Sequence, residues 1–131
     1  MGLERQHFPI LVVDDYHAMV RTIHHMLRQL GFTYLFEAND GHVAWRCLNS
    51  RPYRLVISDL NMRAMGGMEL LRLVRNDEKL KTLPFIMVTA EGERDRVVEA
   101  MAAGVTDYIV KPFTIATLKT KLASAIGDLA A

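Results

Sequence analysis

The sequence of 131 residues has one cysteine, no long apolar run and almost no net charge. A lone Cys47 cannot form an internal disulfide, which fits a reducing compartment. No run approaches the roughly 18 apolar residues that span a bilayer, and residues 1–7 lack the apolar segment of a secretion signal. The net charge of +1 differs from the strong basic excess of dedicated nucleic-acid binders. We therefore expect a cytoplasmic protein that binds neither membrane nor nucleic acid.

The composition is that of a folded domain. Apolar residues make up 50% of the chain and charged residues 24%, which is typical of globular proteins. The chain has no internal repeat, no low-complexity segment and no linker long enough to divide it. We expect a single domain over residues 1–131, with its core from about residue 9 to about residue 128.

Short apolar runs rich in β-branched residues alternate with segments of helical periodicity. The runs predict strands at residues 9–13, 33–38, 55–59, 84–89 and 108–110. The periodic segments predict helices over residues 19–30, 43–48, 68–74, 97–102 and 115–126. Gly31 predicts the end of the first helix, Asn39–Gly41 a turn, and Gly66–Gly67 a loop.

This alternation predicts a parallel sheet with helices on both faces, because the strands look too apolar for one face to meet solvent. Right-handed crossovers leave few topologies. We expect an α/β doubly wound (βα)5 flavodoxin-like three-layer sandwich with strand order 2-1-3-4-5.

Polar side chains stand where the apolar strands end. In a parallel sheet these ends share one edge, so Asp14, Asp15, Asp59, Thr89 and Lys111 are expected to gather there. Two carboxylates about 4 Å apart repel by roughly 4 kcal/mol at an effective dielectric near 20. A divalent cation offsets such repulsion, and oxygen ligands with open water positions suit Mg²⁺. A carboxylate beside a metal and a lysine is suited to accept a phosphoryl group.

These motifs together resemble a known family. They are Asp14-Asp15, Asp59 with Asn61 two places on, Thr89-Ala90-Glu91 and Lys111-Pro112-Phe113. In this order at four strand ends they resemble the receiver domain of bacterial response regulators, and within that family the stand-alone chemotaxis regulators. The resemblance runs from about Pro9 to the end of the chain.

The resemblance implies a phosphorylation switch of a two-component system. Asp59 would accept a phosphoryl group from a phosphohistidine on a sensor histidine kinase or a histidine phosphotransfer protein. Asp14, Asp15, Asp59 and the backbone carbonyl of Asn61 would bind Mg²⁺. Such a protein is not an enzyme in the usual sense, since it catalyses only its own phosphorylation and dephosphorylation.

The resemblance also implies how the signal leaves the site. Thr89 and Lys111 would contact the phosphoryl oxygens, and Tyr108 would change rotamer as Thr89 moves. The face formed by the fourth helix, fifth strand and fifth helix would then bind a protein target such as a flagellar motor switch component. Asn61 and Glu91 would modulate the lifetime of the acyl phosphate. The Lys111-Pro112 bond is expected to be cis.

The loop after Asp59 departs from the family pattern at two positions. Arg63 stands where the family usually has proline, and Gly66 where it often has aspartate. An arginine there restores a backbone amide donor that proline lacks. The Arg63 side chain either draws in a phosphodonor or points to water. Neither change removes a group that the chemistry needs, so they bear on kinetics and partner choice.

Ordinary structural roles stand beside these assignments. Asp15 would cap the first helix while Asp14 ligates; Thr89 would satisfy local backbone; Lys111 would be solvated; Tyr108 would be a half-buried strand aromatic. The histidines of the first helix are expected on a solvated face, because no pair has the spacing of a helical zinc site.

Other functions remain open from the sequence. A Mg²⁺-dependent phosphatase would carry an Asp-x-Asp motif after its first strand and a cap domain, which this chain has no length for. A flavin-binding domain would have a hydroxyl- and glycine-rich phosphate loop where this chain has Asp14-Asp15. Within the receiver family, the chain could also be a phosphorelay receiver or a receiver cut from a longer response regulator.

Overall fold

A computed structural model of the chain describes residues 4–127, so the predicted core boundary at residue 128 lies outside the described residues. After a short 3₁₀ turn at Arg5–His7, strands and helices alternate five times. The strands are β1 Ile10–Val13, β2 Leu35–Ala38, β3 Leu55–Asp59, β4 Phe85–Ala90 and β5 Asp107–Lys111. The helices are α1 His17–Gln29, α2 Gly41–Ser50, α3 Gly67–Arg75, α4 Arg94–Ala102 and α5 Ile115–Ile126.

The sheet has the predicted architecture. Its order is β2-β1-β3-β4-β5, and every neighbouring pair is parallel. This confirms the flavodoxin-like three-layer fold. Within residues 4–127, no helix is long and apolar enough to cross a membrane.

Alternate residues of the central strands supply two separate cores. Leu11, Val13 and Val56 pack with residues of α2, α3 and α4 on one face. Ile10 and Val12 pack with residues of α1 and α5 on the other face. This period of two places both faces of β1, β3 and β4 under helices, which is why these strands read as continuous apolar runs.

The two edge strands correct the expectation that no strand face meets solvent. In β2, Glu37 is exposed, and in β5, Val110 is 37% exposed. Edge strands have a neighbour on one side only, so helices cover them less completely. β2 also begins at Leu35, two residues after the predicted start at Thr33.

Four helices begin earlier than the sequence predicted: α1 at His17, α2 at Gly41, α3 at Gly67 and α4 at Arg94. Asp40 is not a turn residue but the N-cap of α2, and its side chain accepts a hydrogen bond from the Val43 backbone amide. Gly67 is the first residue of α3 rather than part of a loop. A Cβ at Gly67 would lie 2.3 Å from the Asp59 carbonyl oxygen, so only glycine lets α3 start so close to the end of β3.

The expectation of a solvated histidine face is wrong for His24. This side chain is 8% exposed, and its Nε2 lies 3.2 Å from the Phe36 carbonyl oxygen. Burial lowers its pKa, against the opposing effect of that hydrogen bond. His25 is exposed as expected.

Arg75, at the end of α3, forms hydrogen bonds at the edge of the sheet where β4 and β5 begin. Its guanidinium donates to the carbonyl oxygens of Gly104 (2.7 Å), Leu83 (2.7 Å) and Lys81 (3.2 Å). Burial lowers its pKa, and none of these partners is an acid. These bonds join α3, the segment before β4 and the turn after α4.

Candidate functional site

The register of the sheet brings the predicted acidic residues together. Val13 of β1 pairs with Ser58 of β3, so Asp14 follows its strand beside Asp59. Both carboxylates are buried, with exposures of 4% for Asp14 and 5% for Asp59. Buried acids at adjacent strand ends need compensation of their charge.

Asp59 is held by two donors. Lys111 Nζ lies 2.8 Å from Asp59 Oδ1, and the Asn61 backbone amide donates to Asp59 Oδ2 at 3.0 Å. The prediction that Lys111 reaches this edge agrees with the geometry, and its reading as a solvated lysine does not. Asp59 lies on β3 and Lys111 on β5, and β4 lies between these two strands in the sheet. The Lys111 side chain therefore extends across the end of β4 to reach Asp59.

The electrostatics of the pair follow from burial and contact. Burial raises the pKa of Asp59 above its usual range, although Lys111 and the Asn61 amide oppose the shift. Burial alone would lower the pKa of Lys111, but its hydrogen bond to Asp59 and the nearby acids outweigh this and raise it. The site therefore pairs an Asp59 carboxyl group of raised pKa with a Lys111 ammonium group whose pKa is also raised.

Asp14 has one satisfied and one unsatisfied oxygen. Its Oδ1 accepts a hydrogen bond from the Tyr16 backbone amide at 2.9 Å, whereas its buried Oδ2 has no hydrogen-bond partner in the part of the chain described. Burial raises the pKa of Asp14 from 3.8 to about 6, and the charge of Asp59 adds to the increase. An unpaired buried carboxylate oxygen of this kind is suited to a cation.

Asp15 lies at the exposed rim of the site and does not cap α1. The N-cap position belongs to Tyr16, which makes no side-chain cap bond. Asp15 Oδ2 instead accepts the backbone amide of Arg63 at 3.2 Å. The amide donor that a proline at this position would lack is therefore used, and it ties the loop after β3 to the loop after β1.

Thr89 and Tyr108 line one small pocket. Thr89 is 1% exposed, yet its Oγ1 has no hydrogen-bond partner among residues 4–127, so it does not serve local backbone. A cavity of about 250 Å³ lies between Thr89, Tyr108 and the start of α4. Tyr108 is half-buried, and Lys121 Nζ lies 4.8 Å from its ring centroid.

The loop between β4 and α4 contains a residue that the sequence did not single out. Glu93 accepts hydrogen bonds from Asn61 Nδ2 at 2.8 and 3.0 Å and from the Ala90 backbone amide at 3.2 Å. Glu91, for which the resemblance implied a modulating role, is exposed and has no hydrogen bond in the described part of the chain. An acid near the start of a helix is common, so the sequence offered no signal that distinguishes Glu93.

The oxygen set suits a hard cation that keeps several waters. The unpaired Oδ2 of Asp14, the rim position of Asp15 and the buried Asp59 supply carboxylates at one edge. Across residues 4–127, however, no three His, Cys, Asp or Glu side chains already stand as a metal-holding group. Oxygens of Asp15 and Asp59 accept hydrogen bonds from the backbone amides of Arg63 and Asn61 and from Lys111. Mg²⁺, which binds through few protein ligands, fits this arrangement.

Comparison with known proteins identifies the family. A family model described as the response regulator receiver domain matches residues 10–123. The chain belongs to this family. The receiver domain is 51% identical over 113 residues to chemotaxis protein CheY of Pseudomonas aeruginosa, covering 86% of this chain and 91% of that protein. It is 50% identical to chemotaxis protein CheY-3 of Vibrio cholerae, covering 86% of this chain and 87% of that protein.

Solved structures agree with the fold. The receiver domain superposes on chemotaxis response regulator CheY4 of Vibrio cholerae with a TM-score of 0.83 at 31% identity, covering 91% of this chain and 98% of that one. It also superposes on the receiver domain of a sensor histidine kinase from Pseudomonas aeruginosa, with a TM-score of 0.83 at 30% identity and coverages of 92% and 98%. That structure is described with a magnesium ion coordinated in its active-site cleft.

Proposed function

We propose that this receiver domain is a phosphorylation-activated switch in CheY-like chemotaxis signalling, with Asp59 as the phosphoacceptor. The observation that supports this most is the buried Asp59 carboxylate, which lies 2.8 Å from Lys111 Nζ and beside the unpaired Oδ2 of Asp14. A structural ion pair would not require a second buried acid with an open oxygen next to it.

The donor is a phosphohistidine on a sensor histidine kinase or a histidine phosphotransfer protein. An oxygen of Asp59 attacks phosphorus, the P–O bond forms and the P–N bond breaks. The electron pair of the P–N bond stays with the imidazole, which takes up a proton and leaves as neutral histidine. Lys111 neutralises charge on the phosphoryl oxygens as they approach Asp59.

Asp14, Asp15, Asp59 and the backbone carbonyl of Asn61 would hold Mg²⁺. When bound, the ion offsets the charge of the carboxylates and of the incoming phosphoryl group. The protein's part is to orient its oxygens. The Tyr16 amide fixes Asp14, and the Arg63 amide fixes Asp15.

The switch runs from Thr89 to the face made by α4, β5 and α5. The unpaired Thr89 hydroxyl moves to a phosphoryl oxygen, and Tyr108 turns into the cavity of about 250 Å³ between them. On the output face Val98 is 63% exposed and Met101 is 52% exposed, which suits a protein partner. Because relatives of about 50% identity are named chemotaxis proteins, a flagellar motor switch component is the target we propose. Asn61 and Glu91 set the lifetime of the phosphorylated form.

The decisive experiment is intact mass after treatment with acetyl phosphate. Wild type and Asp59→Asn are compared with and without Mg²⁺. We expect one phosphoryl adduct on wild type that requires Mg²⁺ and is absent from Asp59→Asn. No adduct on wild type, or an equal adduct on the variant, would show that Asp59 is not the phosphoacceptor.

A further inference from the structure

Glu93 spans the gap between the two loops that border Asp59. Its Oε1 accepts one hydrogen bond from Asn61 Nδ2 and another from the Ala90 backbone amide, and its Oε2 also accepts from Asn61 Nδ2. Asn61 lies on the loop after β3, whereas Ala90 is the last residue of β4. One carboxylate thus accepts hydrogen bonds from the loop after β3 and from the last residue of β4.

Both donors belong to the surroundings of the phosphoacceptor. The backbone amide of Asn61 donates a hydrogen bond to Asp59 Oδ2, so Asn61 lies directly beside the Asp59 carboxylate. Ala90 follows Thr89 and pairs in register with Lys111.

A phosphoryl group arriving at Asp59 meets two obstacles from Glu93. Its oxygens are acceptors and would seek the same N–H donors that the carboxylate already occupies. Its charge is negative, so the carboxylate also repels it, with a strength that salt reduces. The Glu93 carboxylate is therefore similar to the phosphoryl group that would replace it, both in its negative charge and in the hydrogen bonds that it accepts.

We propose that Glu93 is an internal anion that occupies the amide donors beside Asp59 in the unphosphorylated domain and is displaced by the phosphoryl group. This inference rests on the proposed function of Asp59. Glu93 immediately precedes α4, so its displacement releases the start of that helix. Glu93 is a positioning residue, and it sets how readily anionic donors load the site.

The test compares Glu93→Gln with Asp95→Asn. Glu93→Gln keeps the side-chain length and removes the negative charge. Asp95→Asn removes a charge two residues further on, from an exposed side chain that makes no hydrogen bond within residues 4–127. The rate of adduct formation with acetyl phosphate is measured by intact mass at low and at high salt.

We expect Glu93→Gln to load about 3- to 10-fold faster than wild type at low salt, with the difference shrinking as salt screens the charge. Asp95→Asn should stay within about twofold of wild type. Glu93→Asp keeps the charge but is shorter, and it should load more slowly than Glu93→Gln.

A second readout uses the unphosphorylated protein. In its ¹H–¹⁵N spectrum, the Ala90 amide and the Asn61 side-chain NH₂ should shift in Glu93→Gln and stay in place in Asp95→Asn. If Glu93→Gln and Asp95→Asn are phosphorylated at equal rates while wild type still forms the Asp59 adduct, the proposed role of Glu93 is wrong and the proposed function of Asp59 stands. The absence of any adduct on wild type would overturn the proposed function and this inference with it.

Discussion

The backbone amide of Arg63 donates a hydrogen bond to the Asp15 carboxylate, with 3.2 Å between Arg63 N and Asp15 Oδ2. The bond joins the loop after β3 to the loop after β1 at the exposed rim of the site. Proline, which the family pattern favours at this position, has no N–H and could not form it. With Arg63 in place, the chain has a contact that helps to orient a predicted ligand of Mg²⁺.

The Arg63 amide gives a prediction for metal binding. Arg63→Pro removes the donor, and we expect Mg²⁺ to bind at least threefold more weakly, because hydrogen bonds to ligands orient them. Calorimetric titration with Mg²⁺ measures the change. Arg63→Ala keeps the amide and should bind as wild type does. Equal weakening in both variants would assign the effect to the guanidinium.

Asp14 gives a prediction for pH. Its pKa is raised from 3.8 to about 6, so the folded state binds the proton more tightly than the unfolded chain. The free energy of unfolding therefore falls as pH rises through this interval, by up to about 3 kcal/mol. Asp14→Asn lacks this contribution and should be more stable than wild type at pH 7.5 without Mg²⁺, with the difference disappearing below pH 4.

Urea unfolding of both proteins at several pH values measures this difference. Comparing the two proteins cancels the titration of carboxylates that do not interact with Asp14. Asp59 interacts with Asp14, so the difference reports the titration of the two acids together. A constant difference from pH 4 to pH 7.5 would contradict the assignment to Asp14. Adding Mg²⁺ should raise the stability of wild type and leave Asp14→Asn nearly unchanged, because a ligand stabilises only the state that binds it.

Thr89 gives a prediction that separates stability from signalling. Its buried hydroxyl has no hydrogen-bond partner within residues 4–127, so Thr89→Val should leave the free energy of unfolding unchanged or raise it by about 1 kcal/mol. In wild type, phosphorylation is expected to shift the Tyr108 signal in the ¹H–¹⁵N spectrum. Thr89→Val should lose this shift. Thr106→Val is the matched control. Its hydroxyl accepts the Phe85 backbone amide at 2.9 Å, and its loss should cost about 1–2 kcal/mol.

Arg75 gives a prediction for stability alone. Arg75→Met leaves the carbonyl groups of Leu83 and Gly104 without their donor, and we expect a loss of about 2–3 kcal/mol in urea unfolding. The control is Arg96→Met, which breaks a surface pair with Glu99 at 3.4 Å and should cost less than about 0.5 kcal/mol. Because no partner of Arg75 in the hydrogen bonds above is an acid, the loss should not vary between pH 5 and pH 8.

The fold was predictable because its information is local. The runs at β1, β3 and β4 are apolar on both faces, which is typical of a parallel sheet covered by helices on both sides. Once the sheet is parallel, the ends of its strands share an edge, so Asp14, Asp59 and Lys111 come together without any three-dimensional information. The sequence misplaced the starts of α2 and α3 because Asp40 and Gly67 are residue types that serve turns and helix starts alike.

The details of the site depended on packing between loops, and there the sequence was less informative. Glu91 matches the family motif, yet Glu93 makes the contacts with Asn61, because the direction of a loop decides which of two nearby acids faces inward. His24 shows the same limit, since its burial depends on how closely α1 lies on β2. The roles assigned to Tyr108 and Glu91 stay predictions.

The sparse packing of α4 has a consequence for motion. Ala100 is its one buried residue, whereas α3 buries five. A helix with so few core contacts opens at a low free-energy cost, so amide hydrogens of α4 should exchange with solvent well before those of α3. Among the α-helices of residues 4–127, α4, which follows the loop that contains Glu93, is thus the one whose displacement exposes the fewest buried residues. Under the proposed function, phosphorylation of Asp59 would need to supply only a small part of the domain's stability to move α4.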